Sequence, residues 1–323
     1  MTESKEHDSI KERAKKKLER DMGPKLLEAL HDSRTVEICL NENGTLWIQR
    51  QGERLQRLGD LTLRRAQGQA IVETVAGFHG KEVTKGNPLL EGEFPVDGSR
   101  FAGQLPPVVT GPTFAIRKKA IQVFTLAQYV AAGIMSEAQA QSIEKAVAAR
   151  KNILVIGGTG SGKTTLVNAI IQAMVDFDPL DRFVIIEDTG EIQCAAANYV
   201  QYHTTIDVSM TMLLKTTLRM RPDRILVGEV RGAEALDLLD AWNTGHPGGA
   251  ATLHANSASE GLTRLKSLVS RNGQAPAEIE PLIGEAVHVV VHIARTPDGK
   301  SRFIEEILEV SGYADGHYKT VSL

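Results

Sequence analysis

The sequence predicts an α/β protein: a small α+β domain, then a larger domain built on a mostly parallel sheet. Three observations predict it. Between residues 152 and 294, near-continuous apolar strands alternate with helical segments, the pattern of strands buried on both faces. Before residue 120, short strands are separated by Gly and Pro. At the head of the apolar region, GGTGSGKTT (157–165) sits between a strand and a helix. A chain of 323 residues suits two domains. The expected division is an N-terminal α+β domain over 1–120, a linker over 121–135 and a P-loop domain over 136–323.

The elements follow in order. Residues 9–31 read as a helix with a broken apolar stripe of Ile10, Leu18, Leu26, Leu27 and Leu30, interrupted at Gly23-Pro24. TVEICLN and TLWIQRQG alternate around Asn43-Gly44, a strong hairpin signal. LTLRRAQGQAIVETVAGFHG reads as a helix with Gly80 near its C-cap. PLLEGEFPV, SRFAGQLPP and TFAIRKK read as strands, and two of them carry the arginines Arg100 and Arg117. A helix-rich bridge follows, in which Ser136 and Gln139 have the spacing of a capping box. The strand–helix rhythm then begins: NILVIGG with KTTLVNAIIQAMV, RFVIIED, RILVGEV with AEALDLLDAWN, AATLHA with SEGLTRLKSLV, and VHVVVHIA. RFVIIED is expected to lie beside the strand that enters the P-loop.

Composition narrows the classes. A net charge of -3 gives no global basic imprint, so direct nucleic-acid binding is not expected. Cys39 and Cys194 stand alone, outside any CxxC pair, which points away from a disulfide framework or zinc module and toward a reducing compartment. The charged start of the chain lacks the apolar core of a secretory signal, and no apolar run reaches the roughly 18–20 residues of a membrane span. The expectation is a soluble protein whose contact with a membrane is peripheral or through a partner. The run Lys15-Lys16-Lys17 could touch acidic lipid, but Glu12, Glu19 and Asp21 among the lysines favour a solvated mixed-charge face.

The chemistry concentrates at four strand ends. In GGTGSGKTT the glycines let backbone N–H groups turn inward around a phosphate chain, and the helix N-terminus adds its positive dipole end. Lys163 is expected at the β- and γ-phosphates and Thr164 on Mg²⁺, with the cradle formed by Gly157, Gly158, Thr159, Gly160, Ser161, Gly162, Lys163, Thr164 and Thr165. RFVIIED ends in Glu187 and Asp188, with Glu191 just beyond. Glu187 is read as catalytic; Asp188 and Glu191 either serve the site or cap the turn. RILVGEV ends in Gly228-Glu229, where an ordinary P-loop ATPase would place aspartate first. Metal duty is expected to fall on Thr164, the phosphates and waters, with Glu187 and Glu229 polarising that shell through water and the attacking water, and Gly228 leaving room for a water network. The bland alternative is a salt bridge from Glu229 to Arg231 or Arg219. His246 and His254 lack a third ligand at zinc spacing. His254 follows an apolar strand toward the crevice, either sensing the γ-phosphate or making a structural hydrogen bond.

IEDTGEI, LRMRPDRILVGEVRGAEALD and TGHPGGAATLHAN follow GGTGSGKTT in that order. Together they closely resemble the Asp box, Walker B and His box of the secretion or traffic ATPases, the family of type II and type IV secretion, type IV pili and conjugation. The resemblance covers most of residues 90–300 and makes the Gly-Glu ending the family's own form. It implies a hexamer of subunits, each an N-terminal domain packed over a RecA-like P-loop domain. ATP and Mg²⁺ would lie between those domains, with Arg100 and Arg117 helping to bind phosphate. It also implies a bacterial cytoplasmic location and partners in an inner-membrane secretion complex, including a coupling ATPase. Two lone cysteines exclude the four-cysteine zinc module of many pilus-assembly members, and the AIRNLIRE segment of retraction members is absent. The remaining wording looks most like the conjugative-transfer branch. A type IV pilus motor of the same family, a RecA-like nucleic-acid translocase or helicase, and a nucleotide-dependent scaffold are the alternatives.

Overall fold

The computed structural model describes every residue except Met1, Gly52, residues 119–122 and Ile206, with backbone alone for residues 2–11. The chain forms two compact units, Met1–Ile121 and Gln122–Leu323. Among the described residues no helix is long and apolar enough to cross a membrane.

In the first unit, α1 (Thr2–His31) buries Leu18, Met22, Leu26, Ala29 and Leu30, a spacing that keeps one face inward. It breaks where expected, at Gly23 (φ 72°, ψ 170°) before Pro24. The expected hairpin forms from β1 (Thr35–Leu40) and β2 (Thr45–Arg50). Next come β3 (Gln56–Thr62), α2 (Arg65–Phe78), β4 (Leu89–Glu93), β5 (Arg100–Gln104) and β6 (Thr113–Arg117), in a sheet ordered β3-β2-β1-β6-β5-β4. β3 departs from the sequence reading, which began a helix at Leu61. It is a largely exposed edge strand, so burial imposes little alternation on its sequence.

The second unit opens with α3 (Leu126–Ala131) and α4 (Glu137–Ala148). Within the stretch read as a linker, α3 sets Leu126 and Tyr129 into this unit's own core, because Thr125 and Gln128 close a capping box that starts a helix there. Ser136 and Gln139 close the expected box on α4. There follow β7 (Ile153–Ile156), α5 (Lys163–Phe177), β8 (Phe183–Glu187), β9 (Tyr199–His203), α6 (Met210–Thr217), β10 (Arg224–Val227) and α7 (Glu234–Asn243). The unit continues through β11 (Ala250–Leu253), α8 (Ala258–Val269), α9 (Ile279–Ala286), β12 (Val289–Arg295), β13 (Arg302–Ala314) and β14 (His317–Ser322).

The sheet order is β14-β13-β12-β7-β11-β10-β8-β9. From β12 to β9 the strands are parallel; β13 and β14 add an antiparallel margin. This is the mostly parallel sheet that the alternating strands and helices predict, and it has the RecA-like form that the family resemblance implies. One neighbour differs from expectation. The P-loop strand β7 lies between β11 and β12, and β8 is separated from it by β10 and β11. Adjacency in sequence is not adjacency in a sheet when each connection crosses over by a helix.

Alternation sends side chains to two cores. Phe183 and Ile185 join Val155, Leu226 and Ala250 under α3, α4 and α5. Val184 and Ile186 join Ile225, Val227, Ala251 and Leu253 under α6 to α9. At the edge where the strands begin, Arg224 is fully buried and bonds Asp181 at 2.7 Å, while Arg150 reaches the other oxygen of Asp181 at 2.6 Å. Burying Arg224 is tolerable because the charge is paired and Gly248 O accepts a further bond.

Candidate functional site

Parallel strands place their C-terminal ends along one edge, where open α/β sheets bind ligands. There β7 turns into residues 157–162 and α5. Gly160 (φ 66°) and Gly162 (φ 100°) take left-handed backbone, and Gly162 is the N-cap of α5. Lys163 is buried at its stem, and its ammonium donates to the carbonyls of Gly157 and Gly158, both at 3.0 Å. The Ser161 hydroxyl is buried without a hydrogen-bond partner among the described residues. Such an orphan at a helix N-terminus, with the lysine and the Thr164 hydroxyl, suits a polyphosphate and its Mg²⁺.

Glu229 follows β10 and His254 follows β11. His254 Nδ1 lies 3.3 Å from Lys163 Nζ, and its Nε2 lies 3.1 Å from Glu229 Oε1. The consistent tautomer has Nε2–H donating to Glu229 and Nδ1 accepting from Lys163. Desolvation, and then the Lys163 charge, lower the His254 pKa, which favours this neutral form. Burial pushes the Glu229 carboxyl up, but the hydrogen bond and charge of Arg231 outweigh it. With His254 and Lys163 adding to Arg231, the carboxyl is held below its ordinary range. Arg231 donates to Glu229 at 2.7 Å and to Asp188 at 3.1 Å, and Thr204 donates to Asp188 at 2.9 Å. The salt bridge weighed against a role for Glu229 therefore forms, to Arg231. It leaves Oε1 on the P-loop side, facing His254.

Glu187 stands differently. It is 2% exposed, and its Oε1 accepts from the N–H groups of Glu191 (3.0 Å) and Ile192 (2.8 Å). Its Oε2 accepts from Gln201 at 2.6 Å. Desolvation raises its pKa against these bonds. Both oxygens are thus engaged in holding the loop after β8. The carboxylate that this loop brings to the P-loop is Glu191, whose Oε2 accepts from the Thr164 hydroxyl at 3.3 Å. Buried Asn168 on α5 clips the same loop at the Glu191 carbonyl and the Gln193 N–H.

Gly228 also has a different occupant from the expected water network. A Cβ there would meet Glu187 Cγ at 2.9 Å. The strand register puts Val227 beside Ile186, so the next pair is Gly228 beside Glu187, on the same face. The glycine makes room for the buried glutamate.

His246 precedes β11 and His254 follows it, so a four-residue strand roughly 13 Å long comes between them. His246 bonds the Pro222 carbonyl instead. In the first unit, Arg100 and Arg117 are cross-strand partners, flanked by Glu93 and Glu37 in register. The row runs Glu93, Arg100, Arg117, Glu37, two adjacent arginines with a glutamate on either side, and cross-strand neighbours share a face.

A P-loop at the ligand edge of a mostly parallel sheet, faced by a buried lysine, a Gly-Glu strand end and a histidine, defines a nucleotide-binding P-loop unit. The chain belongs to the family described as type II/IV secretion system protein, which matches residues 26–318. It is 47% identical over 305 residues to the conjugal transfer protein TrbB of Rhizobium radiobacter, covering 94% of this chain and 93% of that protein. It is 35% identical over 308 residues to the type IV secretion system protein PtlH of Bordetella pertussis, covering 83% and 89%. Among solved structures, the pilus retraction motor PilT with bound ADP has a similar fold (TM-score 0.64, 20% identity, 92% of this chain and 81% of that one). So does the Legionella pneumophila ATPase DotB (TM-score 0.62, 22% identity, 88% and 79%).

Proposed function

We propose that this protein is a cytoplasmic ATP hydrolase that powers conjugative type IV secretion, in pilus assembly, substrate transfer or both. The observation that carries the reading is the convergence of Glu191, Glu229 and His254 on Lys163 and Thr164 of the P-loop. The likeness to TrbB over nearly the whole chain supports the conjugative assignment.

The backbone of residues 157–165 cradles the phosphates, Lys163 leaves its two carbonyls for the β- and γ-oxygens, and Thr164 would hold Mg²⁺. Bound Mg²⁺ would neutralise charge on those oxygens. Glu191 orients the attacking water, and Glu229, kept ionised by Arg231, accepts its proton. Glu187 is a positioning residue, since it fixes the backbone that carries Glu191. His254 links Lys163 to Glu229, so movement of the ammonium onto phosphate is felt at the water.

The working cycle is closure of the N-terminal unit on the P-loop unit when ATP binds, and release after hydrolysis. Arg100 and Arg117 meet the phosphates only in the closed state, so ATP favours closure by that differential contact. Subunits act as a hexamer against an inner-membrane secretion complex that includes a coupling ATPase. The test is specific ATPase activity with Mg²⁺ against protein concentration, with Lys163→Ala alongside. Activity that rises to a plateau as subunits associate, and is lost in Lys163→Ala, is expected. Activity that is substantial and flat down to monomeric protein would refute the ring mechanism, and near-normal activity in Lys163→Ala would refute the site.

A further inference from the structure

The carboxylates and His254 occupy one side of the P-loop strand; two arginines occupy the other. β7 is flanked by β11 on one side and β12 on the other. Arg295 ends β12, Arg302 begins β13, and the two are cross-strand partners. Both reach the P-loop: Arg295 Nε donates to the Gly160 carbonyl at 3.0 Å and Arg302 Nη2 to the same oxygen at 3.4 Å. A Cβ on Gly160 would lie 2.3 Å from the Arg295 guanidinium, and one on Gly162 would lie 3.0 Å from Arg302 Cδ. The arginines therefore lie against the outer wall of the loop. The strand that carries Arg302 is anchored two residues on, where Ile304 N donates to Ile134 O at 2.8 Å and Gln139 donates to Ile304 O at 3.2 Å.

The pair is electrostatically unusual. Among the described residues neither guanidinium meets a carboxylate within 4.0 Å, and each spends only one contact on the shared carbonyl. Desolvation, and then the neighbouring Arg295 charge, lower the Arg302 pKa. Two like charges held side by side gain from an anion or a π-face.

The direction of a bound nucleotide follows from the sheet order. Its γ end belongs with Lys163, His254, Glu229 and Glu191, all toward β11, β10 and β8. A phosphate chain laid across the start of α5 then brings its α-phosphate, ribose and base out toward β12 and β13. We propose that Arg295 and Arg302 form the nucleoside-end clamp of this site, with the guanidinium planes against the purine and their edges toward the ribose and α-phosphate. The inference rests on the nucleotide reading above and adds where the base is held.

Calorimetric titration of the full chain with a non-hydrolysable β,γ-imido analogue of MgATP and with magnesium tripolyphosphate tests it, in wild type and in the Arg295→Gln/Arg302→Gln double variant. Both residues stand at strand ends on the exposed side of the sheet and glutamine keeps most of the side-chain stem, so the variant is expected to fold, which a thermal melt checks. Lost charge weakens both ligands alike, so the ratio of the two Kd values isolates the nucleoside contribution. The ratio is expected to move about tenfold against the ATP analogue. A ratio unchanged from wild type overturns the clamp, even if both constants rise together, and would leave the arginines as braces of the loop. A wild type that binds neither ligand, or a Lys163→Ala that binds both as tightly as wild type, overturns the nucleotide reading and the clamp with it.

Discussion

Replacing Gly228 by alanine tests the packing that separates the two glutamates of the β8 edge. The added methyl carbon would sit 2.9 Å from Glu187 Cγ, 3.3 Å from its Oε1 and 3.4 Å from its Cβ. The first of these is closer than packed carbons tolerate, and Cγ lies mid-chain on a buried side chain, so it cannot swing away. Gly228 has no left-handed backbone, so the cost is contact alone. Overpacking of this kind costs about 1–3 kcal/mol. For a unit of this size that corresponds to roughly 2–4 °C of Tm per kcal/mol. The displaced carboxylate also loosens its bonds to the Glu191 and Ile192 N–H groups, so turnover falls while nucleotide affinity, set by the P-loop, holds. Urea unfolding measures the first effect, and ATPase rate against ATP concentration measures the second. Combining Gly228→Ala with Glu187→Asp, which shortens the side chain, should lose less stability than the two single losses added together. Additive losses, or a Gly228→Ala protein of wild-type stability and turnover, would refute the reasoning.

Two further outcomes are expected. Arg231→Gln removes the main influence that depresses the Glu229 pKa. Glu229 is ionised above its lowered folded pKa, and activity that needs the carboxylate is lost as pH falls through it. The variant's pKa moves up toward or past the ordinary 4.5, so the acid limb of the pH–rate profile shifts to higher pH; an unmoved limb would separate Glu229 from the rate. Arg224→Ala leaves Asp181 with Arg150 as its remaining cation, and breaking a buried pair costs about 3–5 kcal/mol. The double variant Asp181→Asn/Arg224→Met should cost less than that in urea unfolding, and an equal or larger cost would argue against pairing as the cause.

Much of this structure was legible in the sequence wherever the signal is local. The glycines of the P-loop, the Asn43-Gly44 hairpin, the break at Gly23 and the Ser136–Gln139 box each state their own geometry. The hairpin of β13 and β14 carries an equally local sign, Asp315-Gly316, both in left-handed backbone. What stayed hidden is non-local. Nothing in RFVIIED says that β10 and β11 will come between it and the P-loop strand. The inward turn of Glu187 was half visible, since alternation puts it on the face of Phe183 and Ile185. Only the register with β10 shows that Gly228 accommodates it. In the sequence Arg231 shows only as a salt-bridge partner for Glu229, and Asn168, Arg295 and Arg302 carry no motif. Their roles arise from what the sheet order brings beside them.

The most direct test of the account compares steady-state MgATP hydrolysis by wild type, Glu191→Gln and Glu187→Gln. Glu191→Gln should lose turnover on the order of 10²-fold or more with KM nearly unchanged. Glu187→Gln keeps an oxygen for the Glu191 and Ile192 N–H groups and disturbs mainly the Gln201 bond, a loss of about 1 kcal/mol, so its turnover should stay within about tenfold of wild type. The reverse order, with Glu187→Gln inactive and Glu191→Gln near wild type, would contradict the assignment of the water-orienting carboxylate.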